Sequence, residues 1–94
     1  MATYVMLTRL TDQGARTVKE NPAHILEVNA ELEAMGLSIL HQYALLGRYD
    51  FVNIVEAADD ETVARASLEL GARGSIRIET LRAMPVETLI GAVK

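Results

Sequence analysis

A chain of 94 residues, half of them hydrophobic and under a quarter charged, is excluded from the disordered class and has the size of one domain whose single core is marginal. A formal charge of -4 and a pI near 5.0 provide no positive field for a nucleic-acid backbone or an anionic membrane. Cysteine is absent, which removes disulfides, thiolate nucleophiles and thiolate metal sites.

The opening run "ATYVMLTRL" is short, rich in β-branched and aromatic residues, and stops at the polar cluster Thr11-Asp12-Gln13-Gly14, so residues 3 to 10 read as a first strand. It has no charged leader, and no segment approaches the roughly 20 apolar residues of a membrane span. A cytoplasmic protein is the expectation. Residues 15 to 20 have the makings of a helical turn. At Asn21-Pro22 the sequence offers an N-cap and a first helical residue, and Ile25, Val28, Leu32 and Met35 follow at helical spacing up to Gly36. These signals predict a helix from Pro22 to Met35.

"LSILHQYALL" and residues 51 to 57 are the next two strands, and the few residues between them make a hairpin. Asp59-Asp60-Glu61 supply a cap and negative charge for a second helix with Val63, Ala66 and Leu70 as its stripe and Leu68 at its border; Gly71 and Gly74 end it. "SIRIETLRA" alternates as a fourth strand, and the tail after Pro85 is apolar enough to dock against another surface. The order βαββαβ with right-handed crossovers is an α+β ferredoxin-like fold: a four-stranded antiparallel sheet with two helices on one face, in a single domain spanning residues 1–94.

Strand alternation then assigns the face left open. Placing Ile76 and Ile78 under the helices turns Arg77 and Glu79 outward. Placing Val52, Ile54, Val5 and Leu7 inward leaves Phe51, Asn53, Val55, Tyr4, Met6 and Thr8 outside. The second strand is apolar on both faces; His41 and Tyr43, grouped with Ile39 and Leu45, go to the open side. Such a mixed face suits an interface or a ligand groove, with two sheets packed face to face around a small cavity.

The stretch "GRYDFVNIVEAADDE", with "TDQG" after the first strand and "RIETLRA" in the last, closely resembles the GYD-domain family, whose motifs occur here in the same order along nearly the whole chain. Arg48 separates Gly47 from Tyr49-Asp50, so the family's name is not spelled by three contiguous residues. The resemblance implies a dimeric α+β barrel in which open sheet faces pair. A weaker resemblance links the hairpin to the effector-binding domain of Lrp/AsnC regulators, where oligomer interfaces near the hairpin receive amino acids. This chain has no room for their helix-turn-helix.

Candidate ligand-binding residues are His41, Tyr43, Tyr49, Asp50, Asn53, Arg77 and Glu79. Each also has a structural reading. Gly47 to Asp50 can be turn chemistry alone, with the Asp50 carboxylate folded onto turn amides. His41 and Tyr43 share a strand face and could shuttle a proton, or could simply pack. Arg77 can donate two parallel bonds to a carboxylate while Glu79 holds it or acts as a base; alternatively the two form a surface ion pair. Two histidines without ligand spacing do not make a metal site, and the acidic run at residues 56 to 61 is explained by capping. No motif for a nucleophile, phosphate or dinucleotide is present. The expected function is a cofactor-free, homo-oligomeric binding or interaction module for a small carboxylate or aromatic ligand. The alternative is a cofactor-independent enzyme, a small monooxygenase or isomerase.

Overall fold

A computed structural model describes residues 1–94. The elements are β1 (Ala2–Leu10), α1 (Asp12–Glu20), α2 (His24–Ala34), β2 (Ser38–Ala44), β3 (Phe51–Ala57), α3 (Asp60–Gly71), β4 (Ile76–Ala83) and α4 (Val86–Val93). The strands form one antiparallel sheet in the order β2-β3-β1-β4, the ferredoxin-like arrangement expected from the element order.

The first crossover contains two helices instead of one. Thr11 caps α1, its Oγ1 accepting from the Gly14 amide at 3.2 Å, so the helix begins directly after β1. Asn21 is the C-cap of α1, with φ -140° and ψ 78°, because a residue before proline is held out of helical geometry. The expected cap for the second helix is therefore the stop signal of the first. Pro22 and Ala23 form a turn, and α2 starts at His24 without a side-chain cap. Its far end matches expectation: Gly36, at φ 100°, takes the left-handed conformation just beyond the helix.

The core is small, with 12 of 94 residues buried. Leu32 from α2 and Val63, Ala66 and Leu70 from α3 pack on Tyr4, Met6, Val55 and Ala57 of the central strands. Burial of each larger aliphatic side chain contributes about 1.5–3 kcal/mol. The three α3 residues are the stripe read from the sequence, and Leu68 beside them is exposed. Asp59 caps α3 by accepting from the Thr62 amide at 2.9 Å and its hydroxyl at 2.6 Å, and these bonds hold its carboxyl below the ordinary range.

Arg73, after α3, clamps Glu31 of α2 with two bonds of 2.9 and 2.6 Å. Hydrogen bonding to that guanidinium lowers the Glu31 pKa from its ordinary 4.5. The unfolded chain therefore binds this proton first on acidification, so the contribution is complete above pH 4.5 and fades as pH falls through the lower folded value. Glu31→Gln is expected to melt with a shallower loss of Tm between neutral pH and about pH 3 than the parent. Parallel curves in that range would assign the acid sensitivity to Asp59 and other carboxylates.

The last helix stands apart. Every residue of α4 is exposed, including Val86, Leu89, Ile90 and Val93. The Cα radius of gyration is 14.2 Å, against roughly 12 Å for a compact chain of this length. No helix is long and apolar enough to cross a membrane.

Candidate functional site

Pairing registers fix which side chains share a face, since directly opposed residues point the same way. Tyr4, Met6 and Thr8 oppose Val55, Asn53 and Phe51 across β3, and Thr8 opposes Ile78 across β4. All of these lie beneath the helices. The open face instead carries Val5, Leu7 and Arg9 of β1, Val52, Ile54 and Glu56 of β3, and Arg77, Glu79 and Leu81 of β4. The assignment for β4 agrees with the sequence reading, and those for β1 and β3 are reversed. Both faces of β1 and β3 are apolar, so alternation alone could not orient them.

The second strand resolves through a bulge. Ile39 opposes Val55, whereas His41 opposes Ile54, so one extra residue, Leu40, puts Ile39 and His41 on opposite faces. His41 and Tyr43 lie on the open side as expected, but Ile39 does not accompany them. Their rings are nearly parallel, with centroids 6.5 Å apart.

On the opened side, Val5, Leu7, Val52, Ile54 and Leu81 form a continuous apolar centre with polar margins. His41 and Tyr43 border it on the β2 edge. At the far corner the Tyr49 hydroxyl donates to Glu79 Oε1 at 2.9 Å. The guanidinium carbons of Arg9 and Arg48 lie 6.0 and 5.7 Å from the Tyr49 ring centroid, within cation–π range. Arg77 opposes Arg9, so positive charge gathers at this corner. Sequence reasoning missed Arg9 and Arg48 there; the parity of Arg9 with Val5 and Leu7 was the available signal.

The seven candidates therefore divide. Tyr49, Arg77 and Glu79 meet at one corner. His41 and Tyr43 on β2 sit three strand spacings, about 14 Å, from Arg77 and Glu79 on β4. Asp50 is spent on structure: its Oδ2 accepts from the Leu10 amide at 2.8 Å, its own amide donates to the Thr8 carbonyl and its carbonyl accepts from the Leu45 amide. Asn53 belongs to the other face, buried under the helices. No group of three or more His, Asp or Glu side chains is placed to hold a metal ion.

A second cluster joins β1 to α3 on the helix-covered side. The buried Tyr4 hydroxyl donates to the Asp60 carboxylate, with Arg82 Nε 3.7 Å from the same oxygen. Bonding to that carboxylate raises the phenol above its usual 10.0.

The GYD domain model matches residues 4–93. The chain belongs to the GYD domain family. A Thermus thermophilus protein named glutamine synthetase and cystathionine beta-lyase binding protein is 54% identical over 95 residues, covering all of both chains. The crystal structure of TTHA0845, also from Thermus thermophilus, matches at TM-score 0.64 and 25% identity, over 90% of this chain and 95% of that one. The crystal structure of FFRP-DM1 matches at TM-score 0.56 and 22% identity, over 89% and 100%, which supports the GYD chain's fold alone.

Proposed function

We propose that this GYD protein is a homo-oligomeric interaction module that pairs through the open sheet face and presents a composite surface to partner enzymes. The observation that carries the reading is the apolar centre of Val5, Leu7, Val52, Ile54 and Leu81 framed by polar margins. The chain exposes 6281 Å², whereas a compact monomer of this mass exposes about 5,400 Å². The excess of about 900 Å² includes the surface of the projecting helix α4, every residue of which is exposed. Val86, Leu89, Ile90 and Val93 of that helix and the apolar centre of the sheet face are both left for a partner to cover. The name of the Thermus relative, a binding protein for two enzymes, supports partners of the same class.

In this reading the Arg9, Arg77 and Tyr49 corner is the anchor for a small carboxylate where the faces close, since a guanidinium offers a planar pair of donors. The test is oligomeric state. Multi-angle light scattering at micromolar concentration is expected to give a dimer or larger assembly for the parent, and a monomer for Ile54→Arg with an unchanged far-UV spectrum. A monomeric parent overturns the reading.

A further inference from the structure

Between the sheet and the first two helices lies a cavity of about 90 Å³. Apolar side chains including Met6, Val28, Phe51 and Ile78 make up just over half of its lining, and beside Thr8 and Gln42 its sheet wall carries Asn53, only 8% exposed. Asn53 Oδ1 is buried and accepts no hydrogen bond. The neighbouring Asn29 and Gln42 amides are turned to one another through reciprocal bonds of 2.8 and 3.0 Å, and neither donates to Asn53 Oδ1. A buried acceptor left unmatched is costly enough that native proteins seldom keep one. A leucine at this position would pack without that penalty.

We propose that this cavity is a binding site for a small neutral ligand with a short apolar body and one hydroxyl or amide N–H, which donates to Asn53 Oδ1. The class follows from the lining. His24 and Arg73 are confined to the partly exposed rim, so no counter-charge meets an ion in the depth of the site, and the orphaned oxygen selects a donor over an acceptor. The size follows from the volume. An apolar cavity of about 150 Å³ holds benzene, so this one accommodates about four non-hydrogen atoms. His24 and Arg73, both partly exposed, stand where the lining meets solvent and mark the way in. The site lies on the sheet face opposite the proposed interface and is independent of it.

The test compares 2-propanol with acetone, which share a carbon skeleton but differ in whether the oxygen can donate. Titrated into the whole protein and followed by amide and methyl NMR shifts, the alcohol is expected to perturb Asn53, Met6 and Ile78 and to bind at least tenfold more tightly than the ketone. In Asn53→Leu the two affinities should converge to within twofold, with folding checked by the thermal melt. If that variant does not fold, the alcohol-to-ketone ratio in the parent decides alone. Equal affinities in the parent, shifts confined to the surface, or only a bound water detected at Oδ1 would overturn the proposal.

Discussion

Gly14→Ala is expected to lower Tm by more than about 10 °C, because 1 kcal/mol moves the midpoint of a domain this size by roughly 4–8 °C. A Cβ on Gly14 would lie 2.0 Å from the Ser75 carbonyl oxygen and 3.0 Å from its carbon. Both are backbone atoms and cannot rotate away, so α1 must withdraw from the loop before β4. That loop is held by Thr11, whose amide donates to the Ser75 carbonyl at 3.0 Å and whose hydroxyl donates to the Gly74 carbonyl at 2.8 Å. Withdrawal strains both bonds, each contributing about 0.5–1.5 kcal/mol, and overpacking adds about 1–3 kcal/mol. Alanine's better helix propensity returns at most about 1 kcal/mol, so the clash wins. Gly91→Ala in α4, where a Cβ meets open space, is the control and should not destabilise. A Gly14→Ala protein that melts with the parent would show that α1 is not seated as described.

The same contact explains why "TDQG" could be recognised in the sequence without being understood there. Its threonine is a cap and a strap, and its glycine is the place where the helix backbone touches the loop before β4; only the capping role follows from local pattern. Residues 51 to 57 were legible because a turn precedes them and an acidic cap follows, which left the strand only one length. For β4, Ile76 and Ile78 against Arg77 and Glu79 made the faces unequal. On β1 the choice lay between Tyr4 with Met6 and Val5 with Leu7, pairs of similar hydrophobicity, and no local rule separates them. The error carried to β3, where a polar Asn53 argued for the open side although it is buried. The division of the first crossover was hidden for another reason: Asn-Pro both ends and begins helices, and the Thr11 cap decides which it does here.

Asp50→Ala is expected to cost about 2 kcal/mol, a fall in Tm of about 8–16 °C. Backbone pairing of β1 with β3 stops at Thr8 opposite Phe51, where the chain turns into the hairpin; Leu10 still opposes Ile76 of β4 but has no strand residue opposite it on the β3 side. The Asp50 carboxylate replaces the missing carbonyl at 2.8 Å, and a charged acceptor forms one of the stronger hydrogen bonds. Its removal strands a half-buried N–H, the more expensive outcome of losing one partner. Asp50→Asn keeps an acceptor without the charge and should recover about half of the loss. Because the side chain faces Leu10, neither substitution should alter the oligomeric state while the protein is folded. A change in assembly at an unaltered melting temperature would move Asp50 from the framework of the hairpin to the interface itself.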